Sequence, residues 1–93
     1  MVKIIADFFK TQPVLKAWLF GSFARGEEQP DSDVDILVLL DYSQPIGIEF
    51  FGMYEDLKEL IGRNVDLVTE RSLAPFARKS VDQDKLLIYE RTA

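Results

Sequence analysis

The sequence predicts an α+β (α/β) fold in which helices cover one small mixed sheet of about four strands. Three observations lead to this prediction. First, 93 residues are enough for one compact core but short for two domains. Second, some segments carry apolar residues at helical spacing, whereas others are short apolar runs bounded by turn residues. Third, these segments follow one another as helix, strand, strand, helix, strand, helix, strand. We therefore expect one α+β domain over residues 1–93.

The first part of the chain is predicted to contain one helix and two strands. A helix is expected over 1–12, where apolar residues recur at helical spacing, and Pro13 ends it. The mostly apolar run 14–20 predicts a buried strand. The polar segment 23–33 predicts a loop or a short turn of helix. Residues 34–40 are almost wholly aliphatic and predict the clearest strand, which we expect to be covered on both faces.

The second part of the chain is predicted to contain two helices and two strands. Apolar residues at helical spacing predict a helix over 46–61, and Gly62 stands where the residue after a helix end is expected. A short strand is expected over 64–69. Within 73–82 a third helix is predicted from Pro75 onward, and a final short strand is predicted over 86–89.

The composition excludes several classes of protein and of site. The chain has 11 Lys and Arg against 16 Asp and Glu, and this net charge of −5 argues against a protein that coats DNA or RNA. It has no cysteine and no histidine, so disulfides, Cys or His zinc sites and histidine bases are excluded. Any bound metal must be held by oxygen atoms, which favour Mg²⁺, Mn²⁺ or Ca²⁺. No apolar run is long enough for a membrane span or a signal peptide, so we expect a cytoplasmic protein.

Two aspartates at the start of the clearest strand are the strongest candidates for chemistry. Asp33 and Asp35 are separated by one residue, so in an extended chain both carboxylates point to the same face, about 6–7 Å apart at the backbone. This spacing allows two short side chains to bind a shared cation or a pair of cations. Two metal ions about 3.5–4 Å apart can stabilise the attacking and the leaving oxygen of a phosphoryl transfer. Without such positive charge, the neighbouring carboxylates would repel each other.

Four further residues extend this candidate site. Gly21 and Ser22 directly follow the first predicted strand, where a glycine lets backbone N–H groups approach phosphate oxygens and the serine hydroxyl adds a donor. Arg25 is spaced to offer a fixed positive charge to the same phosphates. Asp66 lies inside an otherwise apolar strand, where a carboxylate is costly without a partner. If that strand lies beside residues 34–40, Asp66 could complete a site of three carboxylates.

The pair Gly21-Ser22, followed after ten residues by Asp33 and Asp35, resembles the signature of the nucleotidyltransferase superfamily that includes DNA polymerase β. The strings Gly-Ser-Phe-Ala-Arg-Gly and Ser-Asp-Val-Asp-Ile-Leu-Val are similar to its minimal nucleotidyltransferase (MNT) branch in bacteria and archaea. Asp66 stands at the distance expected for the third acid of this family. The resemblance covers nearly the whole chain and implies a polymerase-β-like nucleotidyltransferase core. Proteins of the MNT branch are often the antitoxin of a pair with a HEPN-domain ribonuclease.

The resemblance also implies a reaction and a role for each residue. The three aspartates would bind Mg²⁺, as two ions or with Mn²⁺ instead, and Asp66 can also act as the base for the incoming hydroxyl. Gly21 and Ser22 would hold the triphosphate of ATP or another NTP, with Arg25 assisting. A hydroxyl would attack the α-phosphorus, and pyrophosphate would leave. In the antitoxin branch the acceptor is a tyrosine of the HEPN toxin, so a hetero-oligomer is expected, with no direct nucleic-acid or membrane partner.

Other interpretations of the same residues remain open. A solvated acidic turn would explain Asp33 but not Asp35, which begins an aliphatic strand. Asp66 could be a solvent-facing acid of an edge strand, and Arg25 could be a surface residue paired with a neighbouring glutamate. The chain could also be a binding module that neutralises a partner by docking, with weak or absent nucleotide transfer. A Mg²⁺-dependent phosphohydrolase or nucleotide sensor would use the same carboxylates.

Overall fold

A computed structural model describes residues 1–92 of the chain as alternating helices and strands. None of the helices in this range combines the length and the apolarity needed to span a membrane. The elements, in chain order, are α1 (Val2–Phe9), β1 (Val14–Phe20), α2 (Gly21–Arg25), β2 (Val34–Leu40), α3 (Ile48–Ile61), β3 (Val65–Thr69), α4 (Pro75–Asp84) and β4 (Leu86–Glu90).

The four strands form one mixed sheet in the order β3-β2-β1-β4. Strand β1 pairs antiparallel with β2 and with β4, whereas β2 and β3 are parallel. A parallel pair needs a crossover connection, and α3 supplies it between β2 and β3. The predicted α+β class and its small mixed sheet are therefore confirmed.

The main hydrophobic core lies between one face of this sheet and helices α1 and α3. Alternate residues of a strand point to the same face, and in β2 this set is the buried series Val34, Ile36 and Val38. These side chains belong to one cluster with the fully buried Phe9 of α1 and Leu57 of α3. Burial of this face holds β2 in a fixed register, and β2 begins next to the candidate acids.

The opposite face of the sheet carries the other residues of β2. Leu37 is fully buried there, aligned with Trp18 of β1 and with Val68 of β3. Strand β2 is therefore covered on both faces at its middle, as expected. Asp35 and Leu39, on the same face as Leu37, are only partly buried. Asp35 thus lies at the edge of the face on which Leu37 is buried.

The first helix ends at Phe9, although the sequence predicts that it continues over 1–12. The N–H groups of Lys10, Thr11 and Gln12 donate to carbonyls three residues back, at 3.1–3.3 Å. Such bonds are typical of a tightened last helical turn. The cause is Pro13, because the residue before a proline avoids the helical conformation.

The segment after β1 forms a short helix, which is one of the two alternatives predicted for 23–33. Helix α2 begins at Gly21 and ends at Arg25, and the following Gly26 has a φ of +72°, the left-handed conformation that favours glycine after a helix end. The predicted loop over 23–33 therefore starts only after Gly26, and its alternative, a short turn of helix, is what its first residues form. The remaining boundaries agree with the predicted ones or differ from them by one or two residues.

Replacing Gly52 by alanine should stabilise the fold, and replacing Gly62 by alanine should destabilise it. Gly52 lies inside α3 with open space around it, so alanine should raise the free energy of unfolding by about 0.5–1 kcal/mol. Gly62 has a φ of +73°, which alanine avoids, so its replacement should lower that free energy by about 1 kcal/mol. Equilibrium urea denaturation of both variants tests the pair. If both substitutions change the free energy of unfolding in the same direction, the conformations described for these two glycines are wrong.

Candidate functional site

The candidate site lies at the edge of the sheet where β1 ends and where β2 and β3 begin. Asp35 is opposite Phe20, the last residue of β1, and is also opposite Asp66 of β3. Residues opposite each other on neighbouring strands point to the same face, and such strands are about 4.8 Å apart. Asp35 and Asp66 therefore lie side by side on one face. The condition under which the sequence predicts a third acid, β3 beside β2, is met.

Asp33 stands at the entrance to β2 and is exposed to solvent. The N–H of the next residue, Val34, donates to the carbonyl of Asn64 at 2.9 Å, so pairing between the two segments begins directly after Asp33. Asp66 is also exposed, whereas Asp35 is partly buried. Asp35 is thus the inner carboxylate of the site, and the two other acids face solvent.

The other charged candidates, Asp33, Asp66 and Arg25, lie close enough to Asp35 to change its pKa. Burial raises the pKa of the Asp35 carboxyl above its ordinary value, and the charges of Asp66 and then Asp33 raise this pKa further. The positive charge of Arg25 acts in the opposite direction. The folded chain therefore disfavours the ionised form of Asp35. A bound cation would offset both the burial of this carboxylate and its repulsion by the two others.

Gly21 allows α2 to begin in direct contact with the inner carboxylate. Its φ is +73°, and a Cβ built at this position would clash with a carboxylate oxygen of Asp35 and lie 3.0 Å from its Cγ. Glycine is therefore required here both by the backbone conformation and by the close approach. Ser22 follows in the first turn of α2, where backbone N–H groups have no partner within the helix.

Arg25 lies at the end of α2 and makes two ion pairs. Its Nε is 2.6 Å from Oε1 of Glu27, and its Nη1 is 2.7 Å from Oδ2 of Asp84, the last residue of α4. The interpretation of Arg25 as a surface residue paired with a neighbouring glutamate therefore describes the structure. Its contact with a triphosphate stays a prediction. The second ion pair also connects α2 to α4.

Two side chains near the site were not among the candidates from the sequence. One is Asp84, the partner of Arg25. The other is Arg63, just before β3, which donates to the carbonyl of Ser32 at 3.3 Å and lies over the ring of Phe23 at 5.2 Å. No motif or periodicity marks either residue, because the contacts join positions 59 and 31 residues apart.

The donors at the site suit a hard divalent cation. The three aspartates offer only carboxylate oxygens, which are the ligands that Mg²⁺ and Mn²⁺ prefer. Within residues 1–92, however, no group of three or more acidic side chains is gathered closely enough to hold a metal ion. Mg²⁺ is usually bound by one or two carboxylates together with water and substrate phosphates. The arrangement fits a cation that shares its ligands with a nucleotide better than one held by the protein alone.

Comparison with known proteins gives three similarities. The model of the nucleotidyltransferase domain family matches residues 2–88. A protein of Methanocaldococcus jannaschii, provisionally named a protein adenylyltransferase, is 39% identical over 89 residues, covering 94% of this chain and 84% of that protein. The fold is also similar to those of two solved structures.

The first of these structures is a toxin–antitoxin with AMP-PNP, with a TM-score of 0.80 and 22% identity over 98% of this chain and 74% of that one. The second is a tri-AMPylated Shewanella oneidensis HEPN toxin in complex with an MNT antitoxin. Its TM-score is 0.66, with 20% identity over 98% of this chain and 74% of that one. At these identities, the two structures show a shared fold.

Replacing Gly21 by alanine should cost more stability than replacing Gly26 by alanine. Both glycines have a φ near +72°, but a Cβ meets Asp35 only at Gly21, whereas Gly26 has open space. We expect a loss of about 1 kcal/mol at Gly26 from backbone strain, and about 1–3 kcal/mol more at Gly21 from the clash. Urea denaturation measures both. Adding Asp35→Ala should remove much of the extra loss at Gly21, and strict additivity of the two substitutions would contradict the contact.

Asp35→Asn should stabilise the metal-free protein near neutral pH, and the gain should vanish in acid. The pKa of Asp35 is raised on folding above its ordinary value of 3.8, so ionisation of this carboxyl destabilises the folded state above the folded pKa. Below both pKa values the carboxyl is neutral in the folded and unfolded chain, and Asp and Asn become similar. Thermal denaturation in EDTA across the pH range tests this. A gain that persists unchanged in acid would show that ionisation is not its cause.

Proposed function

Since the chain belongs to the nucleotidyltransferase domain family, we propose that it is a cytoplasmic, Mg²⁺-dependent enzyme that transfers AMP from ATP to a partner HEPN toxin. The acceptor is a hydroxyl of the toxin, that of a tyrosine, and the transfer makes this chain an antitoxin. The observation that carries the proposal is the register that sets Asp35 beside Asp66, with Gly21 against the same carboxylate. The name of the M. jannaschii relative and the AMPylated toxin in one of the similar structures support it.

Each part of the site has a defined task in this proposal, and Asp66 has two. Asp33, Asp35 and Asp66 bind the divalent cation, and the backbone N–H groups at Gly21 and Ser22 bind phosphate oxygens. When bound, Mg²⁺ supplies positive charge that stabilises the charge developing on the reacting phosphate and on pyrophosphate. The protein itself contributes no nucleophile, so its residues act by orienting the triphosphate and by fixing charges around it.

The transfer step needs a base for the acceptor hydroxyl, and we assign this task to Asp66. As the acceptor oxygen forms its bond to the α-phosphorus, Asp66 takes the hydroxyl proton. The bond from the α-phosphorus to the bridging oxygen breaks, and pyrophosphate leaves with the electron pair. Asp66 is exposed, so a side chain of a second protein can reach it. This exposure favours an acceptor that is presented from outside the chain.

Arg25 assists the triphosphate in this proposal without leaving its ion pairs. These pairs use Nε and Nη1, whereas a guanidinium carries five N–H donors. The remaining donors are available to phosphate oxygens, and the charge of Arg25 already acts on Asp35. Glu27 and Asp84 hold the guanidinium in place, which lowers the cost of ordering it when a nucleotide binds.

A protein acceptor fits this chain better than a nucleic acid does. The net charge of −5 disfavours an RNA that this chain alone would have to bind through its phosphates. We propose that residues 1–93 act as one nucleotidyltransferase domain and that the partner supplies the surface that presents the acceptor. A second candidate function is neutralisation by binding alone. It is favoured by the carboxylates of residues 1–92, which are not gathered into a complete metal site.

Transfer can be measured with ATP labelled at either the α- or the γ-phosphate, together with Mg²⁺ and a candidate HEPN toxin. We expect label on the toxin only from α-labelled ATP, and mass spectrometry should find AMP on a tyrosine. Asp33→Asn and Asp35→Asn should each lower transfer by at least about 100-fold, since removal of a catalytic electrostatic group costs about that much. Asp31→Asn is the matched control, because Asp31 is an exposed acid of the same loop outside the proposed site.

Three results would contradict the proposal. Label arriving from γ-labelled ATP would indicate phosphoryl transfer. Release of phosphate or AMP without labelled protein would indicate hydrolysis. Inhibition of the toxin that survives both substitutions, without any label, would indicate that the chain acts by docking.

A further inference from the structure

The guanidinium of Arg63 contacts two segments that flank the proposed site. Its Nη1 donates to the carbonyl of Ser32 at 3.3 Å, and its Cζ lies 5.2 Å from the centre of the Phe23 ring. The latter distance is within the range of a cation–π interaction. Ser32 immediately precedes Asp33, and Phe23 immediately follows Ser22. These two contacts of Arg63 are therefore each one residue away from a residue of the proposed site.

The turn over residues 29–32 depends on Arg63 for its attachment to other elements. Within the turn, the N–H of Gln29 donates to Oγ of Ser32 at 2.7 Å, and the N–H of Ser32 donates to the carbonyl of Gln29 at 3.0 Å. These bonds fix the shape of the turn but not its position. Among the side-chain hydrogen bonds of residues 1–92, those that join this turn to another element come from Arg63. They end on the carbonyls of Gln29, at 3.5 Å, and Ser32, at 3.3 Å.

Arg63 is itself held between two fixed points of the backbone. Gly62 ends α3 in the left-handed conformation, and its N–H donates to the carbonyl of Lys58 at 3.0 Å. On the other side, the carbonyl of Asn64 accepts from the N–H of Val34. The side chain of Arg63 therefore projects from the junction between α3 and β3, three residues before Asp66. Through this one residue, the strand that carries the third acid is connected to the turn before the first acid.

The contacts of Arg63 use the shape of its side chain. In the described part of the chain, Arg25, Arg78 and Arg91 each pair with a carboxylate, whereas Arg63 and Arg71 do not and lie over aromatic rings instead. A planar guanidinium can place its face on an aromatic ring while its edge donates to carbonyl oxygens. A lysine ammonium has no planar face and cannot make both contacts in the same way. The site thus calls for arginine and not only for a positive charge.

We propose that Arg63 is a positioning residue for nucleotidyl transfer. It binds neither metal nor nucleotide. It holds the turn before Asp33 at a fixed position relative to the ring of Phe23. The cation-binding and phosphate-binding segments are therefore in place before the ligand binds. Prior arrangement lowers the ordering cost of binding. The inference rests on the proposed function for its role in catalysis, but its structural part concerns the ligand-free chain.

Two variants of Arg63 and one matched control test the proposal. Arg63→Ala removes both contacts, and Arg63→Lys keeps the charge without the planar group. Arg78→Ala is the control, because Arg78 also bonds a backbone carbonyl, that of Glu70 at 3.1 Å, away from the acids. The measurements are amide hydrogen exchange over 29–35 without ligand, affinity for Mn²⁺-ATP by electron paramagnetic resonance, and KM and kcat of AMP transfer.

We expect Arg63→Ala to speed exchange over 29–35 and to weaken Mn²⁺-ATP binding about tenfold, the low end for groups that orient metal ligands. The KM for Mg-ATP should rise together with a fall in kcat, Arg63→Lys should rescue little, and Arg78→Ala should change none of these readouts. If Arg63→Ala has the same amide exchange over 29–35 and the same Mn²⁺-ATP affinity as Arg78→Ala, the proposal is wrong. If Arg63→Ala does not fold, the same measurements on Arg63→Lys are compared with those on Arg78→Ala.

Different results would contradict the proposed AMP transfer and the proposed role of Arg63. If the wild-type chain transfers no AMP but Arg63→Ala still weakens Mn²⁺-ATP binding, the assigned reaction is wrong and the positioning role stands. If the wild-type chain transfers AMP and Arg63→Ala transfers it with unchanged KM and kcat, the positioning role is wrong and the reaction stands. If the wild-type chain binds no Mn²⁺-ATP, exchange over 29–35 decides: unchanged protection in Arg63→Ala overturns the inference.

Discussion

Asp35 lies in β2, between β1 and β3, and its ionised carboxylate is disfavoured both by burial and by the charges of Asp33 and Asp66. The positive charge of Arg25 offsets only part of this cost. Functional sites commonly hold groups in environments that the rest of the fold must support, because those same environments create affinity for a ligand. In the proposed function, this unfavourable arrangement of negative charge would favour the binding of a divalent cation. The remaining features of this edge of the sheet keep the carboxylate in place despite that cost.

The hydrophobic core supplies most of this support from the other side of the sheet. In β2, Val34 and Ile36 point into the core with α1 and α3, and the residue between them, Asp35, necessarily points to the opposite face. A slip of one residue would place the acid in the core and remove the aliphatic side chains from it, so burial of the core fixes the direction of the carboxylate. Gly21 then completes the arrangement, because any side chain there would occupy the space of the Asp35 carboxylate.

Side chains from distant elements hold the segments around the acids. Asp84 at the end of α4 binds Arg25 of α2, and Arg63 before β3 contacts both the turn before Asp33 and the ring of Phe23. Both contacts lie beside the site and leave Asp33 and Asp66 exposed. An open edge of this kind suits a large acceptor, since a second protein can approach the acids without entering a cavity. The proposed transfer to a partner protein would use this open edge.

The sequence by itself determined the α+β class and the position of every strand to within a residue. These features depend on local periodicity and on turn residues, which a single sequence displays. The family was also recognisable, because Gly21-Ser22 and the two aspartates form a short motif with fixed spacing. The roles of these residues and of Asp66 in metal and nucleotide binding remain predictions.

Only the tertiary structure decided that β3 lies parallel to β2, which sets Asp66 beside Asp35, and that Gly21 contacts the Asp35 carboxylate. Only the tertiary structure also showed that Arg25 pairs with Asp84 and that Arg63 reaches Ser32. These contacts join residues far apart in the chain, and their partners are chosen by the packing of whole elements, which no local pattern records.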